Sequence, residues 1–163
     1  MIKHAKEEET KMRQPVQIEI DGRTINVERG RNVLAVAREH GADIPGLCFH
    51  PRLSMTGGCR LCVVKVDGRR GLVPACTLEA EEGLSLVAFD EELESIRASL
   101  IDLFLSEHNC DCLVCESAGT CELQDLAYRY GLDRRSRQFR LAERKLPEAD
   151  ASSPVLVHDP SKC

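Results

Sequence analysis

No tryptophan occurs among the 163 residues, and aromatic residues make up only 4%. A core built around large rings is therefore excluded, and a small core commonly relies on another staple, such as a metal. No apolar run approaches the length of ~20 residues needed to span a bilayer as a helix. The opening segment, "MIKHAKEEETKMRQP", lacks an apolar h-region and a small-residue cleavage site, and it carries three glutamates where a transit peptide is poor in acidic residues. These absences predict a cytoplasmic protein, in a compartment that keeps thiols reduced. No G-x-G-x-x-G, Walker loop or nucleophile elbow is present, and Gly57-Gly58 alone does not make a nucleotide site. The net charge of −5 argues against a nucleic-acid partner. What the chain has in excess is cysteine, nine in all. In a reducing compartment, an odd count with short spacings points to metal ligands rather than disulfides.

Hydrophobic periodicity predicts an α+β protein. "VQIEI" (16–20) and "TINVE" (24–28) alternate apolar and polar residues around Asp21-Gly22, as a β-hairpin does. "NVLAVAREHG" (32–41) reads as a short helix capped by Asn32, with Val33, Val36 and Ala37 inward and Gly41 as its stop. A long irregular stretch over 42–60 contains Cys48 and Cys59, and long loops in compact domains are usually functional. "CVVKVD" (62–67), "GLVPAC" (71–76) and "LSLVA" (84–88) complete a mixed sheet on which the helix packs. Composition changes at residue 90. From there, Leu93, Ile96, Leu100, Leu103 and Phe104 give helical spacing, and "CELQDLAYRYG" (121–131) repeats it. The expected organisation is a disordered N-terminus (1–14), an α+β domain (15–89), a small helical domain (90–145) and an extended tail (146–163). The basic run "DRRSRQFRLAERK" (133–145) reads first as a solvated helix or linker, and second as a docking surface for an acidic partner.

Two constellations carry the chemistry. Cys48, Cys59, Cys62 and Cys76 are spaced C-x10-C-x2-C-x13-C, and four thiolates from converging segments can enclose a [2Fe–2S] cluster. The glycines at 57 and 58 would let backbone N–H groups approach the sulfurs. Zinc and plain buried thiols are the competing readings, although zinc sites more often pair two short knuckles. The second set, His108, Cys112, Cys115 and Cys121, spaced H-x3-C-x2-C-x5-C, would pin two helix ends together. Cys₃His is also a standard structural zinc set, so spacing alone does not separate zinc from iron–sulfur here. Cys110 reads as a spectator thiol, with replacement of His108 as its alternative role, and Cys163 has no later partner.

Taken together, "IPGLCFHPRLSMTGGCRLCVV", "VPAC" and "EHNCDCLVCESAGTCELQDLAYRYG" resemble the N-terminal iron–sulfur region of the large iron–sulfur subunit of respiratory NADH dehydrogenase. Similar regions occur in the diaphorase small subunit of NAD-reducing hydrogenases, in NAD-dependent formate dehydrogenase alpha subunits and in iron-only hydrogenases. The resemblance implies a β-grasp ferredoxin domain with a [2Fe–2S] cluster on Cys48, Cys59, Cys62 and Cys76. It implies a helical domain with a [4Fe–4S] cluster on His108, Cys112, Cys115 and Cys121. "VLVHDPSKC" is similar to the lead-in to a further ferredoxin unit with two [4Fe–4S] clusters, so the chain is expected to be a fragment or a truncated relative. The implied role is single-electron relay between a flavin/NADH-binding subunit and a catalytic subunit of hydrogenase, formate dehydrogenase or quinone-reducing type. A peripheral membrane complex is one setting this allows. No residue is expected to act as a catalyst on an organic substrate. A zinc-stapled interaction scaffold without a redox role is the alternative.

Overall fold

The computed structural model describes residues 14–108, 110–132 and 148–159. The basic run 133–145 and Cys163 lie outside the described residues. The chain divides into two compact units, 1–96 and 97–163.

The first unit is a five-stranded mixed sheet with one helix. The strands are β1 (Pro15–Ile20), β2 (Arg23–Glu28), β3 (Val63–Val66), β4 (Leu72–Pro74) and β5 (Leu84–Val87), and α1 is Val33–Glu39. Their order is β2-β1-β5-β3-β4. β1 pairs antiparallel with β2 and parallel with β5, while β3 pairs antiparallel with both β4 and β5. Strict alternation along β1 sends Val16, Ile18 and Ile20 to the buried face and Gln17 and Glu19 to water. Asp21 (φ 49) and Gly22 (φ 77) both take the left-handed conformation that a two-residue hairpin turn of this kind requires.

α1 covers the sheet with Val33, Leu34, Val36 and Ala37, all 0% exposed. Full burial of a Val or Leu side chain stabilises by roughly 1.5–3 kcal/mol. Asn32 caps the helix, as its Oδ1 accepts the Ala35 N–H at 3.1 Å. The same side chain also reaches across the fold, with its Nδ2 donating to the Cys76 carbonyl at 2.7 Å. The helix closes at Gly41 (φ 85), whose N–H donates to the Arg38 carbonyl at 3.1 Å. The exit from β5 is held by Asp21, whose carboxylate accepts the Ala88 N–H at 2.7 Å. Asp90 caps the next helix through the Leu93 N–H at 2.8 Å and forms an ion pair with Lys65 at 2.6 Å.

That helix, α2 (Glu91–Glu107), is followed by a single 3-10 turn at Cys112–Val114 and by α3 (Glu122–Arg129). The buried residues of α2 are Leu93, Arg97, Ile101, Asp102 and Leu105. This stripe differs from the one expected from Leu93, Ile96, Leu100, Leu103 and Phe104, and Leu103 is 45% exposed. Both stripes have helical spacing, but a buried arginine and aspartate cannot be anticipated from apolar periodicity. Among the described residues no helix is long and apolar enough to cross a membrane.

Asn32→Ala is expected to lower thermal stability by about 1 kcal/mol, the usual cost of losing such a cap. Asn32→Asp should keep the cap and lose the amide donor to Cys76. Circular-dichroism melts of the two variants beside wild type separate the two contributions.

Candidate iron–sulfur sites

The antiparallel pairing of β3 and β4 sets Val63 opposite Pro74. Cys62 immediately precedes β3, and Cys76 sits in the 3-10 turn Ala75–Thr77 that follows β4. A hydrogen bond from the Ala75 N–H to the Cys62 carbonyl at 2.8 Å joins the two segments. The hairpin register therefore brings together thiols 14 positions apart in sequence. Cys48 and Cys59 come from the loop between α1 and β3, and the Cys59 N–H donates to Cys48 Sγ at 3.5 Å. The four thiols form two contacting pairs, Cys48 with Cys59 and Cys62 with Cys76. Cys76 lies within electrostatic reach of the other three. Cys59, Cys62 and Cys76 are buried, and Cys48 is half-buried.

Backbone dipoles converge on the sulfurs. Cys59 Sγ accepts the Leu47 N–H at 3.4 Å and also the Leu61 N–H. Burial, the largest influence on Cys48, would raise its pKa. The Cys59 N–H, the Cys59 thiol, the Thr56 hydroxyl and the Gly58 N–H outweigh it and hold Cys48 below the usual thiol value. Burial raises Cys59 despite the N–H groups of Leu61 and Leu47. Burial pushes Cys76 up to about 12, and its hydrogen bond to Cys62 and the like charges of Cys62, Cys48 and Cys59 add to this. Four thiolates in this pocket repel one another and are poorly solvated, so their joint ionisation requires positive charge among them.

The loop geometry depends on two left-handed residues, Gly57 (φ 62) and Arg60 (φ 59). A Cβ on Gly57 would stand 3.0 Å from Thr77 Cγ2 and 3.7 Å from Pro74 Cγ. Gly58 supplies the N–H expected from the glycine pair, whereas Gly57 supplies the turn and the close approach to the segment bearing Cys76. Arg60 in this conformation is strained, as a non-glycine residue there costs energy that surrounding contacts must offset. Sequence reading did not anticipate Arg60, the Thr56 hydroxyl or the Leu47 N–H. All three depend on the tertiary path of the loop.

In the second unit, His108 follows the last turn of α2, its N–H reaching the Leu105 carbonyl at 3.4 Å. Cys112 begins the 3-10 turn, Cys115 follows it, and Cys121 occupies the N-cap position of α3. That position is usually held by Ser, Thr, Asp or Asn. Cys121 makes no side-chain capping bond there. Cys110 Sγ donates to the carbonyls of Leu105 and His108 at 3.4 Å and 3.3 Å. Among the described residues, no three His, Cys, Asp or Glu side chains stand close enough to share a single ion. The first set comes together as pairs, and the second remains spread over a helix end, a turn, a loop and a helix start.

The donor chemistry of the first set fits a [2Fe–2S] cluster, because two thiol pairs match two iron atoms and N–H groups offset the charge on sulfur. The second set offers one imidazole and three thiols on short segments that a cluster would tie together.

Comparison with known proteins defines the class first. Residues 13–88 match the 2Fe-2S iron-sulfur cluster binding domain family. Residues 97–136 match the NADH-ubiquinone oxidoreductase-G iron-sulfur binding region. The chain is thus a two-domain iron–sulfur protein, of a class that binds a [2Fe–2S] and a [4Fe–4S] cluster. Between them the two matches span most of the chain, which therefore carries the iron–sulfur regions that these two family models describe. It is 35% identical over 149 residues to the second G-type polypeptide of NADH-quinone oxidoreductase from Rhizobium meliloti, covering 91% of this chain and 17% of that protein. It is 30% identical over 148 residues to the mitochondrial 78 kDa subunit of NADH-ubiquinone oxidoreductase of Candida albicans, covering 91% of this chain and 20% of that protein. A solved structure of an NAD+-reducing [NiFe]-hydrogenase in the H2-reduced state matches with a TM-score of 0.78 and 36% identity, covering 91% of this chain and 61% of the other. The chain therefore spans about a fifth or less of the curated relatives it matches here, which are subunits of multi-subunit complexes.

Gly57→Ala is expected to cost about 1–2 kcal/mol in backbone strain, before the contact with Thr77 is counted. Gly58→Ala, whose Cβ would meet nothing closer than Thr56 Oγ1 at 3.6 Å, should be far milder. Acid-labile sulfide content and the EPR signal of the [2Fe–2S] cluster should fall in the first variant and hold in the second.

Proposed function

We propose that the chain is an electron-transfer module of an NAD(P)H-linked oxidoreductase complex, passing single electrons between a flavin- and NADH-binding subunit and a catalytic subunit. The observation that carries this reading is the paired arrangement of Cys48 with Cys59 and Cys62 with Cys76, with backbone N–H groups directed at sulfur. In this reading Cys48, Cys59, Cys62 and Cys76 hold the [2Fe–2S] cluster. His108, Cys112, Cys115 and Cys121 hold the [4Fe–4S] cluster, and Cys110 is left as a thiol donor to the carbonyls of Leu105 and His108. The clusters, when bound, accept and release one electron at a time. The protein's own residues supply ligands, the N–H groups of Leu47, Gly58, Cys59 and Leu61 as hydrogen-bond donors, and burial from water. In this reading the [2Fe–2S] domain spans 15–89 and the helical domain 90–145, supported by family matches over 13–88 and 97–136. The terminal chemistry belongs to partner chains of quinone-reducing, formate or hydrogen type, and a cytoplasmic setting suits a thiol-rich site.

Chemical analysis of the full chain purified without oxygen tests this reading against a zinc-stapled scaffold. Iron and acid-labile sulfide with two distinct EPR species support it, while a colourless zinc protein refutes it. Cys59→Ala should abolish the [2Fe–2S] species and leave the other in place. Loss of both from a folded variant would contradict two separate sites.

His108→Cys should lower the potential of the [4Fe–4S] cluster, because a thiolate in place of a neutral imidazole adds negative charge to the site. An EPR-monitored redox titration of the variant measures the shift, and an unchanged potential would remove His108 from the ligand set.

A further inference from the structure

The loop that carries Cys48 is braced by a side chain that the ligand assignment does not use. Arg38 lies in the last turn of α1 and is only partly exposed. Its Nε donates to the Ile44 carbonyl at 3.0 Å. Its guanidinium carbon stands 5.7 Å from the ring centroid of Phe49, the residue after Cys48. A guanidinium at this range is attracted to the negative face of the ring. Between these two contacts, an Arg38 Nη atom lies 3.4 Å from where a Cβ on Gly46 would stand. The same point is 3.8 Å from the Cys62 Cβ, so the guanidinium and the Cys62 side chain both border the space that glycine at 46 leaves open.

Residues 44, 46 and 49 bracket the short segment that contributes both Cys48 and the Leu47 N–H donated to Cys59 Sγ at 3.4 Å. One cation therefore contacts the backbone and ring on either side of a proposed ligand, and it borders the same gap at Gly46 as a second. A cluster held by four thiolates is anionic, and accepting an electron makes it more so. A fixed positive charge nearby attracts the reduced state more strongly than the oxidised state.

We propose that Arg38 positions the Cys48 segment and, through its fixed charge, raises the reduction potential of the [2Fe–2S] cluster. The proposal rests on the assignment of Cys48, Cys59, Cys62 and Cys76 as ligands. Arg38 acts through the loop and the electric field and binds no iron.

The test is an EPR-monitored redox titration of the full chain, with the [4Fe–4S] cluster of the same molecule as internal reference. In Arg38→Gln, the reduced-to-oxidised ratio of the [2Fe–2S] cluster at a fixed ambient potential should fall about tenfold, equivalent to ~59 mV for one electron. The [4Fe–4S] midpoint should not move. Arg38→Lys keeps the charge but gives up the Nε donor to Ile44 and the planar stack on Phe49, so a ratio within about twofold of wild type isolates the contribution of the charge. A wild-type [2Fe–2S] midpoint in Arg38→Gln would overturn the proposal, as would equal shifts in the Gln and Lys variants. If Arg38→Gln assembles no [2Fe–2S] cluster, the Lys variant decides alone. A near-wild-type midpoint there supports the proposal, and a displaced midpoint or an absent cluster overturns it. Absence of a [2Fe–2S] signal from the wild-type chain would instead dispose of the ligand assignment itself.

Discussion

The cysteine site of the first unit depends on the cost of burying charge on sulfur. Four thiols stand in a largely buried pocket where their joint ionisation is unfavourable, and the pKa of Cys76 at about 12 expresses this. Such an arrangement makes physical sense as a receptacle for iron, because positive metal converts mutual repulsion into shared attraction. The surrounding structure contributes in small, directional ways. The β3–β4 register pairs Cys62 with Cys76, the N–H groups of Cys59 and Gly58 lower Cys48, and those of Leu61 and Leu47 act on Cys59. Each of these N–H groups favours charge on sulfur and works against the burial that disfavours it.

α1 links this pocket to the hydrophobic core. Its buried residues anchor it on the sheet, and its two ends reach toward the cysteines. At one end Asn32 caps the helix and holds the Cys76 carbonyl, while near the other Arg38 grips Ile44 and stacks on Phe49. Core packing and site geometry are thus coupled through a seven-residue helix. A change that tilts α1 acts on both cysteine-bearing segments at once.

The second unit works differently. Its described core is small, with Arg97 and Asp102 among its buried residues. Its cysteines lie on a turn, a loop and a helix start, and Cys115 is exposed. For short segments of this kind, the free energy of cluster binding is also free energy of folding. Leu113 and Val114, between Cys112 and Cys115, are exposed.

Local spacing was enough to read the strands, α1 and its Asn32 cap, α3 and the α+β class, because strand alternation, caps and helical period are short-range properties. The cysteine spacings favoured iron–sulfur over zinc for the first set but left the second divided between the two, and only family resemblance moved it. Tertiary structure decided the rest. The buried face of α2 is set by Arg97, Ile101 and Asp102 rather than by Ile96 and Leu100, because contacts made at a distance override apolar count. The left-handed turn at Arg60, the Thr56 hydroxyl at Cys48 and the Arg38 brace have no signature in spacing. Each arises where the loop folds back on itself or onto the neighbouring helix, and such contacts exist only once the loop has taken its folded path.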